Sequence, residues 1–245
     1  MRQDGRRNDE LRPLKLEVDF IENPLASVLC SMGRTRVLCT VSEEPSVPRW
    51  LKGRGEGWVT SEYSMLPAST DTRNDREAAR GKVSGRTMEI QRLIGRSLRA
   101  VIDPLALGER TLWIDCDVLQ ADGGTRTTSI TGAWVALAIG CARLKARGLL
   151  EKDPLRDSVA AISVGLIDGE PRLDLPYEED ARAEVDMNVV ATGRGQFCEV
   201  QGTGEGGTFS PDQLNALTAL ALSGVETITA AQRAAVASAT QGLET

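Results

Sequence analysis

The segment Asp122-Gly123-Gly124-Thr125-Arg126-Thr127-Thr128-Ser129 brings together the residue types that hold an oxyanion. Glycines let an anion approach the backbone, a helix beginning here would leave several N–H groups unpaired at its positive end, and Arg126 adds a planar guanidinium. Thr125, Thr127 and Ser129 add hydroxyl donors. The plainer reading is a glycine turn with a Thr/Ser cap. The stretch lacks the lysine of a P-loop and the spacing of a dinucleotide fingerprint. A second group is cationic. From Arg73 to Arg99 eight basic residues (Arg73, Arg76, Arg80, Lys82, Arg86, Arg92, Arg96, Arg99) face three acidic ones (Asp75, Glu77, Glu89). Arg92, Arg96 and Arg99 share one helical face, which suits either a substrate contact or a solvated or subunit-contact face. Arg86 beside Gly85 could meet an anion at a second helix start. Arg73, Arg76 and Arg80 read as a flexible basic loop able to contact a polyanion.

The third group is acidic: Glu178, Glu179, Asp180, Glu184 and Asp186 crowd into YEEDARAEVD. Carboxylates so close repel one another unless a divalent cation or a proton relieves them. In an extended run Asp180, Glu184 and Asp186 would share one face; an ordinary charged strand edge is the alternative. Taken together, two cationic anion-holding groups and a carboxylate pair are equipment for phosphoryl transfer. The chain contains no histidine, which removes every histidine base, nucleophile relay and metal ligand.

These groups must be positioned by a core, and 245 residues with 41% hydrophobic and only 4% aromatic content supply an aliphatic one. Five scattered cysteines, none in a C-x-x-C pair, suit a reduced interior with neither a disulfide framework nor a zinc site. The charged opening MRQDGRRNDELR is unlike a signal peptide, and no apolar run reaches membrane-spanning length, so a cytoplasmic protein off the membrane is expected. The net charge of −6 hides the basic 73–99 stretch.

Alternation at Leu14, Leu16, Val18 and Phe20 predicts a strand. A hairpin follows around Gly33, another strand over 57–65, a polar exposed segment after Pro67, and a helix through Ile90 to Ile102 stopped by Asp103-Pro104. The pattern then repeats: a strand at 112–118, the glycine turn, and a helix with Ile130, Trp134, Leu137, Cys141 and Leu144 on one face. Short strands at 158–167, 171–175, 184–191 and 197–201 precede a last helix from Pro211 into the 230s. An α+β fold is expected, with mixed sheets packed with helices in a duplicated βαβα arrangement. The expected organisation is one compact domain, 1–245, of two related halves, about 1–150 and 151–245. GRTRVLCTV from Gly33 faintly resembles GRGQFCEV from Gly193.

Four motifs in order, R-x-D-G-R at Arg2 to Arg6 with LRP at Leu11 to Pro13, GRTMEIQRLIGRSLR at Gly85 to Arg99, DGGTRTTSI at Asp122 to Ile130 and DLPYEEDARAEVDMNVV at Asp174 to Val190, resemble the RNase PH family. That family also includes polynucleotide phosphorylase and exosome ring subunits; the absence of KH-like or OB-like appendages resembles its stand-alone bacterial type. The resemblance implies a phosphorolytic 3′-to-5′ exoribonuclease, or tRNA nucleotidyltransferase, that uses inorganic phosphate, trims tRNA precursors downstream of CCA and releases nucleoside diphosphates. It implies a homohexamer, a trimer of dimers, acting on RNA and not DNA. It assigns phosphate binding to Arg86, Gly124, Thr125 and Arg126, catalysis with Mg²⁺ to Asp180 and Asp186, and RNA guidance to arginines such as Arg73 and Arg76. With it comes an RNA-binding reading of Arg80, Arg92, Arg96 and Arg99. The alternatives are a catalytically silent RNA-binding ring subunit and an unrelated phosphate-binding transferase; an extended basic face is superfluous for the latter.

Overall fold

A computed structural model describes residues 2–243. The first sheet contains β1 (Leu14–Val18), β2 (Ala26–Met32), β3 (Thr35–Glu44), β4 (Trp58–Met65) and β5 (Thr111–Gln120), in the order β1-β2-β3-β5-β4. Helix α1 (Gly85–Arg99) and the short α2 (Pro104–Leu107) lie between β4 and β5 in the chain. They make the crossover that the parallel β4–β5 pairing requires. α1 ends at Arg99, short of the expected Ile102 and Asp103 stop, and Asp103 instead starts α2, its Oδ1 accepting from the backbone of Leu105 and Ala106. β1 stops at Val18: Asp19 turns the chain at φ +55°, and Phe20 is left exposed.

After β5 come α3 (Thr125–Ala146), β6 (Val159–Ile167), β7 (Glu170–Leu173), the single-turn α4 (Tyr177–Asp180), β8 (Val185–Thr192), β9 (Phe197–Gly204) and α5 (Pro211–Thr240). The second sheet, β7-β6-β8-β9, is antiparallel throughout, so only the first sheet is mixed. α3 was expected to be apolar on one face, yet it is buried nearly all round. It packs against β2 and β3 on one side and β6 and α5 on the other. Gly132 allows the close approach, since a Cβ there would sit 2.6 Å from Cys30 Cβ. All nine positions of β6 are buried, as in a strand covered on both faces.

α5 begins with a Ser210–Gln213 capping box. Contrary to the sequence expectation, it is long and apolar enough to cross a membrane. Its stripe of Leu217, Ala221, Val225 and Ile228 is instead buried against the second sheet, and a core helix passes the same composition test. All five cysteines are free thiols, and four are buried.

Candidate active site

The glycine turn ends β5 and opens α3. Gly124 occupies the N-cap at φ +66°, with no side chain capping the helix. The first backbone amide of α3 to find a helical carbonyl is that of Thr128, which donates to Gly124 at 3.0 Å. The preceding amides are therefore free of a capping side chain and stand at the positive end of a 22-residue helix. Thr125 is fixed by the buried Tyr63, whose hydroxyl donates to Thr125 Oγ1 at 2.9 Å. α1 starts differently, with the Ser84 side chain accepting from Thr87 N.

Arg126 is held at one nitrogen. Nη1 donates to Gln201 Oε1 at 2.8 Å and lies 3.2 Å from Glu89 Oε2, while Gln201 Nε2 donates to Glu89 at 3.0 Å. A triad from α1, α3 and β9 thus orients the guanidinium. Sequence spacing gave no sign of Gln201 or of this role for Glu89, because the contacts span 37 to 112 residues.

The acidic run is not extended at its start. Tyr177 to Asp180 form the α4 turn, so Asp180 comes from a helix and Asp186 from β8. The expected common face of Asp180, Glu184 and Asp186 dissolves, and the five crowded carboxylates part. Glu179 is buried between Arg2 and Arg172, Glu184 accepts from Gly169 N, and Glu178 is exposed. Asp180 and Asp186 still come together, each carboxyl shifting the other.

Burial raises the Asp180 carboxyl above its ordinary value, with Glu205 adding to the effect, while Arg86 and Arg126 pull it down. Asp186 is pushed up to about 6, first by burial and then by Asp180; Arg126 opposes this and Glu205 reinforces it. Asp186 Oδ1 is buried without a hydrogen-bond partner. These mutual effects place Arg86, Arg126, Asp180 and Asp186 in one electrostatic neighbourhood. Glu205 joins them unanticipated, from the residue after β9.

The other arginines divide. Arg92 and Arg96 line a hollow of about 330 Å³ with Gly85, Met88 and Glu89, next to the Arg126 triad, and Arg96 also pairs with Glu199 of β9. Arg73, Arg76 and Arg80 are exposed, with Asp75 pairing to Arg73 at 3.2 Å and Arg80 at 2.9 Å. Their segment is tethered to α1 through Glu77, which accepts from Thr87 Oγ1 at 2.8 Å. Arg99 does not join this surface. It donates to Val59 O at 2.8 Å and lies over the Trp58 ring at 4.5 Å. A larger cavity, about 820 Å³, lies away from all of these groups, between α3 and α5 beside Trp134 and Arg233.

The sequence matches the 3′ exoribonuclease family, domain 1 over residues 10–141 and domain 2 over residues 157–224. It is 57% identical over 234 residues to a ribonuclease PH of Bacillus velezensis, covering 95% of this chain and 96% of that protein. It is 59% identical over 237 residues to one of Mycobacterium ulcerans, covering 96% and 92%. Among solved structures, an Archaeoglobus fulgidus exosome with RNA bound to the active site superposes with a TM-score of 0.79 at 20% identity, covering 93% of this chain and 91% of the other. Rice Rrp46 superposes at 0.78 and 18%, covering 96% and 100%.

Proposed function

The chain belongs to the RNase PH family of 3′ exoribonucleases, and from that premise we propose how its own residues divide the work of phosphorolysis. It is a phosphate-dependent 3′-to-5′ exoribonuclease. The observation that carries the division is the meeting of Arg126, from the uncapped start of α3, and Arg86, from the first turn of α1, with the Asp180–Asp186 pair.

Inorganic phosphate sits on the unclaimed amides after Gly124, on Thr125 and against the Arg126 and Arg86 guanidiniums. Near neutral pH it is already an anion, so it needs orientation and charge neutralisation and no base. This accounts for the lack of histidine. A phosphate oxygen attacks the phosphorus of the last internucleotide linkage, the bond to the 3′-oxygen breaks, and a nucleoside diphosphate leaves. The shortened RNA regains a 3′-hydroxyl by taking up one proton.

That proton, or an equivalent positive charge, is needed at the departing oxygen. Asp180 and Asp186 suit a divalent cation such as Mg²⁺: the two carboxylates are partly buried together, and Asp186 Oδ1 is buried without a partner. Among the described residues no larger carboxylate or thiolate group could hold an ion alone, so the remaining ligands would come from water and substrate phosphates, as Mg²⁺ prefers. Bound there, the ion would neutralise charge on the leaving oxygen. Asp186 as general acid is favoured by one observation, its rise to about 6.

The exposed Arg73, Arg76 and Arg80 and the Arg92–Arg96 hollow form the path for single-stranded RNA, with tRNA precursors extended beyond CCA as the substrate. Arg99 serves the fold. We assign the chain as one unit of two related halves, working as a cytoplasmic homohexameric ring. A silent ring subunit would lack either the anion seat or the aspartates. The test is a 3′-extended tRNA incubated with Mg²⁺, with and without phosphate. Nucleoside diphosphates should appear only with phosphate, and monophosphates released without it would sink this reading.

A further inference from the structure

Three arginines near the chain start, Arg2, Arg6 and Arg12, are buried; their hydrogen bonds go to residues other than Thr125, Arg126, Asp180 and Asp186, although Arg12 Nη2 would stand 3.3 Å from a Cβ on Gly124. A buried guanidinium is tolerated only when its donors are satisfied, and these are. Arg2 donates to Glu179 from Nε at 3.2 Å and from Nη2 at 2.7 Å, and to the carbonyls of Leu173 and Asp174 at 2.7 and 2.8 Å. Arg172 Nη1 donates to the same Glu179 at 2.8 Å. Glu179 is thereby locked, and the next residue of α4 is Asp180.

Arg12 holds Asp174 from Nε at 3.0 Å, from Nη2 at 2.7 Å and from its own backbone N–H at 2.7 Å. Arg6 donates to the Asp174 carbonyl at 3.1 Å. Arg12 Nη1 reaches the other way, to the carbonyl of Asp122 at the start of the glycine turn. The turn and the 174–180 segment also touch directly. Tyr177 N–H donates to Asp122 Oδ1 at 3.3 Å, and a Cβ on Gly123 would stand 2.5 Å from the Leu175 carbonyl oxygen. Asp174 itself sits at φ +56°, a conformation its encirclement by arginines holds in place.

We propose that residues 2–12 are a clamp that fixes the spacing between the phosphate seat and the aspartate pair, with Arg12 and Arg2 as positioning residues. Arg12 joins the seat to the 174–180 segment, and Arg2 locks the turn that presents Asp180. In both, the guanidinium donors are directed at protein oxygens. The inference rests on the site assigned above to Arg126 and Asp180. It gives the R-x-D-G-R and L-R-P stretches a part in turnover without placing them at the reacting atoms.

The test compares Arg2→Lys and Arg12→Lys with Arg143→Lys in the assembled enzyme. Arg143 makes a more exposed arginine lock far from the site, to Leu25 O at 2.9 Å and Asp19 at 2.6 Å. With folding verified by thermal unfolding and assembly by light scattering, kcat should fall on the order of 10- to 100-fold in both clamp variants, the scale of a small misplacement of reacting groups. Arg12→Lys should also raise the phosphate KM severalfold, and Arg2→Lys should leave it unchanged. Arg143→Lys should lose thermal stability and keep kcat. If Arg2→Lys does not assemble, Glu179→Gln reads the same lock. Wild-type kcat in folded clamp variants overturns the clamp, as does a kcat that tracks thermal stability across all three. Asp180→Asn and Arg126→Ala run in parallel; normal turnover in those would overturn the site itself, a separate outcome.

Discussion

The proposed phosphate seat takes most of its donors from one contiguous turn, Gly124 to Arg126, at a helix start left without a capping side chain. The aspartate pair draws one carboxylate from a helical turn and the other from a strand, and partial burial raises both, with Glu205 adding to the effect. The seat is built to lower the energy of a negative charge that arrives from solution, whereas the pair holds negative charge at a cost until a proton or a cation relieves it. One enzyme thus carries opposite electrostatics side by side, with Arg126 bridging them: it lies in the seat and lowers both aspartates.

Substitutions on the two sides should therefore fail differently. Asp186→Asn is expected to have the largest effect, lowering kcat on the order of 10³-fold while the phosphate KM and the assembly state stay near wild type. Steady-state kinetics with size-exclusion chromatography checks this, and an unchanged kcat would move the proton or metal role elsewhere. Next comes Gly123→Ala, where seat and pair touch. The new methyl meets the Leu175 carbonyl at 2.5 Å in a backbone already at φ +72°, so a loss of about 2–3 kcal/mol is expected in denaturant unfolding, with kcat falling as well. Retained stability would mean that the two segments are not in firm contact.

The raised Asp186 makes a third difference. Its folded value of about 6 exceeds the ordinary 3.8, so the folded state binds this proton more tightly than the unfolded state. The contribution to stability is then full below pH 3.8 and is lost as pH rises through about 6. In the metal-free protein, Asp186→Asn should gain about 1–2 kcal/mol relative to wild type at pH 7.5 and little at pH 4.5. Chemical denaturation at the two pH values with EDTA measures it. Equal gains at both would show that Asp186 is not held against its charge. The smallest effect is expected at Arg99→Ala: about 1–2 kcal/mol of stability, from the Val59 hydrogen bond and the Trp58 ring, with RNA affinity unchanged. Weakened RNA binding would return Arg99 to the RNA path.

The same contrast governs what could be read from the sequence. The candidate seat stood out because its residues are local: a glycine pair, an arginine and hydroxyls between a strand and a helix, which is where the structure puts the turn. The strands and the three long helices were legible from periodicity, as at β3 and α1. The pair was only half legible. Asp180 and Asp186 stood out by crowding, but the parity argument assumed an extended chain where Pro176 and the lock on Glu179 set a helical turn. Their neighbours Glu179 and Glu184 looked equivalent in sequence and are spent on structural contacts. Arg99 shared a helical face with Arg92 and Arg96, yet Trp58 and Val59, some forty residues earlier, captured it. Glu89, Gln201 and Tyr63 support the seat through long-range contacts that no spacing rule reports. α3 escaped the one-face expectation because two sheets cover it.

The division between seat and pair is tested most directly by titrating inorganic phosphate against nucleoside diphosphate release in Arg126→Ala and Asp180→Asn enzymes with one 3′-extended RNA. The expected result is a phosphate KM raised about 10- to 100-fold in Arg126→Ala, the scale of a lost charge-assisted hydrogen bond. Asp180→Asn should show a collapsed kcat at near-normal phosphate KM. A wild-type phosphate KM in Arg126→Ala, or a raised KM with normal kcat in Asp180→Asn, would contradict it.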